Sequence, residues 1–313
     1  MNLPLVTICI PMYNEVGGLE LLFSKLVSVM TDCSGYRFEI DCVNDGSTDN
    51  TLLELISYQS KVPNVRVINL SRNFGKEAAL TAGLNAARGE AVIPLDADLQ
   101  DPPEIIKEML SRWQKGAQVV LCKRSRRDEE SWLKRSSAKL FYKVMTLLSD
   151  TPIHENVGDF RLMDRKVVDV IISLHEKNRM MKGIMSWPGF KTEIIEFVRP
   201  SRAFGKSSIG LSKLIRLAID GILSFSSIPL KISMYLGISI AMISFFYGSY
   251  LIYKTLVMGV DLPGYASMMV TILFMGGLQL ISMGIMGEYI ARIYSEVKGR
   301  PIFVIEKIYE PEQ

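Results

Sequence analysis

The chain has 313 residues, enough for one sizeable globular domain and a smaller part. A mean hydropathy of +0.20 beside 22% charged residues excludes a uniformly soluble chain and calls for a few very apolar segments joined to an ordinary domain. The net charge of +3 excludes the dense basic stripe of a nucleic-acid binder, and two histidines with four scattered cysteines exclude a Cys/His zinc site, so any metal is a hard cation on carboxylates.

The apolar run Leu3–Met12 is short and lacks a basic leader, so it reads as a buried strand and not as a secretory signal. From there β-branched runs alternate with helical patterns. Val6–Pro11, Phe38–Val43, Val65–Leu70, Ala91–Leu95 and Gln118–Lys123 predict strands. Leu19–Met30, Thr51–Gln59, Glu77–Ala87 and Glu104–Lys115 predict helices. The alternation predicts an α/β domain with a doubly wound, mostly parallel sheet, whose ligands bind outside the carboxyl ends of the strands.

Tyr13-Asn14-Glu15, Asn44-Asp45-Gly46-Ser47, Ser71-Arg72-Asn73 and Asp96-Ala97-Asp98 stand at those ends. Neither a GxGxxG nor a GxxxxGK[ST] loop is present, so a nucleotide must be held in another way. Asp96 and Asp98, alternate carboxylates at a strand end, fit one Mg²⁺ or Mn²⁺ bridging a diphosphate. Asp45 is a candidate acceptor for a base or ribose, while Ser47 and Asp49 read as helix caps. In Asp101-Pro102-Pro103-Glu104 the order of Asp, Pro and Glu predicts that Asp101 starts a helix.

Two basic stretches follow the fifth strand: Lys123-Arg124-Ser125-Arg126-Arg127 through Lys134, Arg135 and Lys139, and Arg202-Ala203-Phe204-Gly205-Lys206-Ser207. They fit either a specific site for a membrane-borne phosphate or general attraction to anionic lipid. Apolar residues from Leu211 to Ile222 recur at helical spacing, which predicts an interfacial amphipathic helix at 209–227, with a helix packed on the soluble domain as the alternative. No charged residue occurs from Ile232 to Tyr253 or from Leu262 to Gly287, and each run is long enough to cross a hydrocarbon core of about 30 Å. The expected organisation is a catalytic domain at 1–208, the interfacial helix, a transmembrane hairpin at 228–290 and a tail at 291–313. Lys254 alone marks the connection, whereas many Lys and Arg flank the hairpin, so both flanks are expected on the cytoplasmic side of the cell inner membrane.

With these residues in hand, the chain resembles the family 2 glycosyltransferases of the GT-A fold, in the subgroup acting on polyprenyl phosphates. The resemblance rests on Ile10–Glu15, Val43–Asp49, Leu70–Lys76, Asp96–Pro103, Gly158–Arg161 and the C-terminal hairpin, and it covers essentially the whole chain. It implies that Pro11, Tyr13, Glu15, Asp45, Lys76, Asp96, Ala97 and Gln100 hold a nucleotide sugar, and that Asp96 and Asp98 handle metal and diphosphate. It further implies that Asp159 sits with Asp98 at the reacting centre and that Arg124, Arg135, Arg202 and Lys206 approach the lipid phosphate. Many relatives carry two aspartates where this chain has Asn44-Asp45, so the first contact there is neutral. Arg112-Trp113 follows Met109 and not Gln, and lies on a different helix from the QxxRW signature of processive synthases, which argues against polymerisation.

The implied activity is inverting transfer of a sugar, glucose from UDP-glucose, to undecaprenyl phosphate. Mannose from GDP-mannose or an aminoarabinose derivative would use the same parts. The rivals are an enzyme of the same fold with another acceptor, such as a glycan, a lipid hydroxyl or a protein, and a membrane-tethered binding or scaffold protein without catalysis. Because a phosphate with a second pKa of about 6 is already ionised, Asp159 has two open roles, as a base or as an orienting group, besides a structural pairing with Arg161 or Arg165. A homo-oligomer and a separate flippase are the expected partners.

Overall fold

The computed structural model describes residues 3–124, 157–177, 179, 181–198, 228–258 and 264–311. These fall into two compact units, one holding the described residues to 198 together with 300–311, the other 228–258 with 264–299.

In the first unit the elements run β1 (Leu5–Met12), α1 (Leu19–Asp32), β2 (Arg37–Asn44), α2 (Thr51–Gln59), β3 (Val65–Leu70), α3 (Lys76–Ala86), β4 (Ala91–Pro94), α4 (Ile106–Gln114) and β5 (Val119–Arg124). They continue with β6 (Val157–Asp164), α5 (Arg165–Ser173), α6 (Met181–Ile184) and β7 (Thr192–Phe197). Two helices of the second unit, α7 (Ile228–Met258) and α8 (Tyr265–Val297), come next, and β8 (Ile305–Tyr309) returns to the first.

The strands form one sheet in the order β7-β5-β6-β4-β1-β2-β3-β8. Pairings β1–β2, β1–β4, β2–β3 and β5–β7 are parallel, and β3–β8, β4–β6 and β5–β6 are antiparallel. Helices cover both faces, so the central strands are apolar nearly throughout and not alternating with polar residues. Successive side chains of β1 still part to opposite faces: Ile8 and Ile10 join Leu22 and Leu26 of α1, while Cys9 joins Ala79 and Ala82 of α3. A Cβ on Gly83 of α3 would stand 2.0 Å from the Cys9 sulfur, so that helix packs directly on the strand. All four cysteines are free and buried, as expected of reduced core residues.

The five expected strands and four expected helices of the first half are present, with ends shifted by a residue or two. Two expectations are corrected. The segment 291–313 is not a separate tail: α8 continues to Val297, and 305–309 is an edge strand of the catalytic sheet, antiparallel to β3. Its solvent-facing side leaves only a weak apolar signal in the sequence. Nor does Asp101 cap a helix. A 3₁₀ turn begins at Pro103, its cap position is Pro102, and Asp101 is buried beside Arg124, 3.3 Å from the guanidinium.

In the second unit α7 and α8 have 31 and 33 residues, lengths of about 46 and 50 Å at 1.5 Å per residue. The Ser233 hydroxyl donates to Ser282 at 2.8 Å and ties the two helices together. Among the described residues, no helix is long and apolar enough to cross a membrane. The expected interfacial helix at 209–227 lies outside the described residues.

Candidate active site

A cleft of about 380 Å³ opens at the carboxyl ends of β1, β2 and β4, and Pro11, Tyr13, Glu15, Asp45, Lys76, Asp96, Ala97 and Asp98 all line it. Eight residues singled out from the sequence thus meet in one place. Asn73, Gly75 and Ala79 line it too; Asn73 stood among the strand-end residues and Gly75 within the Leu70–Lys76 motif, whereas Ala79, inside the predicted helix, had no signal of its own.

One end of the cleft is built from two loops locked together. Asn14 adopts a left-handed backbone with φ 56°, and its carboxamide oxygen accepts from the Thr48 N–H at 2.8 Å. Gly46 has φ +63°, and a Cβ there would lie 2.4 Å from the Arg72 carbonyl carbon, so the loop after β2 needs glycine to pass the loop after β3. The Asp45 carboxylate accepts from the N–H groups of Phe74 and Gly75 at 2.7 and 2.9 Å. Its first task is therefore to hold the entry to α3. Burial pushes this carboxyl up, and the two donors offset that only in part. Asn44 donates to Asn69, which donates in turn to Glu306 of β8. The C-terminal strand is thereby tied to this end of the cleft.

At the other end Lys76, the first residue of α3, places its ammonium 2.7 Å from Asp96 Oδ1 and 3.0 Å from Asp159 Oδ2. This bridge joins the end of β4 to β6 and ties Asp159 to the cleft through Lys76, although neither Asp159 nor Gln100 is itself among the lining residues. Burial would push Lys76 down, but Asp96 and Asp159 hold it above the ordinary lysine value. Burial would likewise raise Asp159, yet the charge and hydrogen bond of Lys76, joined by the charges of Lys182 and Arg161, together outweigh it and keep this carboxyl below the usual range. Asp159 Oδ1 is buried without a partner among the described residues. The pairings considered for it are made elsewhere: Arg161 donates to the Gly158 carbonyl, and Arg165 pairs with Asp169.

Beyond Asp98 the chain turns through Leu99, whose φ of 53° is unusual for a side chain of that size and marks stored strain. The Gln100 N–H donates to Asp98 at 3.2 Å, and the Gln100 carboxamide oxygen is buried without a partner among the described residues. Arg124 lies against Asp101, so close to Gly158 that a Cβ there would be 2.9 Å from the guanidinium. Arg135, Arg202 and Lys206 lie outside the described residues, as do Arg126, Arg127 and Lys134. The Trp113 indole donates to Asp164 at 2.9 Å and Arg112 pairs with Glu108 and Glu193, so both are structural.

Residues 7–172, the segment that supplies the whole cleft, match the family described as Glycosyl transferase family 2. The chain belongs to this family. Residues 228–293 match a second family, the GtrB C-terminal hairpin. The chain is 49% identical to an uncharacterized glycosyltransferase of Synechocystis, over 97% of this chain and 95% of that protein. It is 47% identical to the SfII prophage-derived bactoprenol glucosyl transferase of Shigella flexneri, covering 96% and 97% of the two chains. A prophage bactoprenol glucosyl transferase homolog of Escherichia coli is 44% identical over 97% and 99%. The family makes this chain a glycosyltransferase of the GT-A fold.

Proposed function

We propose that the enzyme transfers glucose from UDP-glucose to undecaprenyl phosphate, with inversion, at the cytoplasmic face of the cell inner membrane. The observation that carries this reading is the Lys76 bridge, which puts the diphosphate end of the cleft and the reaction-centre carboxylate on one ammonium. The names of the Shigella and Escherichia relatives support the lipid acceptor and the sugar. The match to the C-terminal hairpin and the two uncharged runs support a multi-pass anchor. Two helices are too few to form a path for the product, which assigns its crossing to a separate flippase.

The residues present fit a divalent ion. Asp96, Asp98 and the buried Gln100 carboxamide oxygen are hard oxygen donors from one short segment, suited to Mg²⁺ or Mn²⁺. When bound, such an ion neutralises charge on the departing diphosphate. The chain's own groups do the rest. Lys76 stays protonated and adds a second positive charge beside the leaving group. Asp159, held ionised and therefore a weak base, stabilises positive charge on the sugar and orients the attacking phosphate. The lipid phosphate, with a second pKa of about 6, needs no proton removed. Of the two roles left open by the sequence, the electrostatic one is favoured by the lowered carboxyl. Arg124 stands beside Gly158, within reach of that same strand end.

The test incubates purified protein in detergent with undecaprenyl phosphate, Mg²⁺ or Mn²⁺ and a panel of UDP- and GDP-sugars, following glycolipid by mass spectrometry. Transfer from UDP-glucose that disappears with EDTA and in Asp98→Asn supports the proposal. Transfer from GDP-mannose alone, or none at all from folded protein, refutes it.

A further inference from the structure

A second cavity, of about 210 Å³, lies away from the cleft on the face of the sheet covered by α5 and α6. Its walls include Val119, Leu121, Val167, Met185 and Phe190, all apolar, and one charged group, Arg161. Arg161 is only 1% exposed. One of its nitrogens donates to the Gly158 carbonyl at 2.9 Å, while Nε and Nη1 have no acceptor among the described residues. Leaving donors of a buried cation unmet is costly, and native structures rarely do it.

The cavity is separate from the donor cleft. Asp159 and Arg161 are alternate residues of β6 and share a face, but Arg161 lies about 7 Å further along the strand. It sits opposite Leu121, while Val119 pairs with Thr192 at the start of β7. Because β5 runs parallel to β7 and its last residue, Arg124, is at the cleft, the exposed Gly189 and Thr192 mark a mouth at the opposite end of the sheet.

We propose that this cavity binds a small organic carboxylate, its anion on Arg161 and its short aliphatic part on Val119, Leu121, Val167 and Met185. The volume is many times the roughly 10–15 Å³ that admits a single water. A neutral guest would leave the unmet Nε and Nη1 donors without an acceptor, and only the charge of Asp159 facing the guanidinium. A hydrated inorganic polyanion would lose its shell against apolar walls and meet one cation only. Burial pushes the Arg161 guanidinium down to about 10, opposed by the charge of Asp159.

The test is titration calorimetry of the full-length protein in non-ionic detergent with butyrate at constant ionic strength, beside 1-butanol and inorganic phosphate. Saturable butyrate binding, about tenfold or more tighter than either control, is expected from a buried charge-assisted contact. Thr192→Trp, which narrows the mouth at an exposed position, and Arg161→Met should each weaken it by a similar factor. Should Arg161→Met fail to fold, the control ligands and Thr192→Trp decide. The proposal is overturned by no saturable heat with butyrate, by equal binding of butanol, by tighter binding of phosphate, or by undiminished affinity in Thr192→Trp.

Discussion

The Lys76 ammonium stands 3.0 Å from Asp159, contributed by a strand 83 residues further along the chain. The same ammonium reaches Asp96 at 2.7 Å, so one side chain at the start of α3 ties together two carboxylates with different tasks. Without it Asp159 would be a largely buried carboxyl with only the charges of Lys182 and Arg161 to oppose its burial. With it, the carboxyl stays charged.

Replacing Lys76 by Met therefore moves an ionisation as well as removing a charge. In the native enzyme Asp159 is held below the usual carboxylate range, so the acid limb of the activity profile due to it lies below about pH 4. In Lys76→Met burial is opposed only by the charges of Lys182 and Arg161, the Asp159 value rises, and the acid limb shifts to higher pH. Turnover at neutral pH should fall by about 10²–10³, as for loss of one electrostatic stabiliser. An unchanged limb would show that Lys76 does not set the charge of Asp159.

The pair also shapes stability. Asp159, lowered on folding, stabilises above its unfolded value of about 4 and loses this contribution as pH falls through its folded value; Lys76, raised on folding, stabilises below about 10 and loses it as pH rises through its own. Thermal unfolding of the native chain should thus show a plateau between about pH 5 and 9, with falls on both sides that are shallower in Lys76→Met.

Gly46→Ala meets two obstacles at once, a positive φ and a backbone carbon 2.4 Å from the new methyl. The expected loss is about 1–3 kcal/mol of stability with a raised donor KM, since the loops it separates carry Asp45 and Asn73. Gly116→Ala, at φ +95° with nothing within 4 Å, is the matched comparison and should change stability without changing that KM. Equal KM values in both would detach Gly46 from donor binding.

Arg124→Ala removes a charge beside the buried Asp101 and, under the proposed function, a contact to the lipid phosphate. A loss of about 1–3 kcal/mol is expected, read from denaturant unfolding. Adding Asp101→Asn should restore stability but leave the KM for the lipid high. Recovery of both would make Arg124 a structural residue only.

Ending the chain after Ile302 deletes β8 and with it the Glu306 acceptor of Asn69. The edge of β3 is then bare, so aggregation and a lower unfolding midpoint are expected, measured by light scattering and circular dichroism. Glu306→Ala in the intact chain should keep the edge covered and raise the donor KM alone, because Asn69 steadies Asn44.

Much of the fold was legible in the sequence because strand and helix periods are properties of neighbouring residues. Thr51–Gln59 and Val65–Leu70 agree with the expected bounds residue for residue. The cleft was legible because in such sheets polar residues just past the strands collect at one edge, whatever the loop details. Asp101 shows where local signals mislead. Its sequence context is that of a helix cap, but Arg124, brought from 23 residues away, claims its carboxylate.

From the sequence alone came the alternating α/β plan, the uncharged runs of 232–253 and 262–287, and the residues at the strand ends. Tertiary structure alone decided the strand order, the antiparallel entry of β6, the return of 305–309 to the sheet and the Lys76 bridge. The division has a physical cause. Periodicity is written over a few consecutive residues, whereas contacts such as Asn69 to Glu306, 237 residues apart, depend on which edges and charges remain unmet once the rest of the chain has packed.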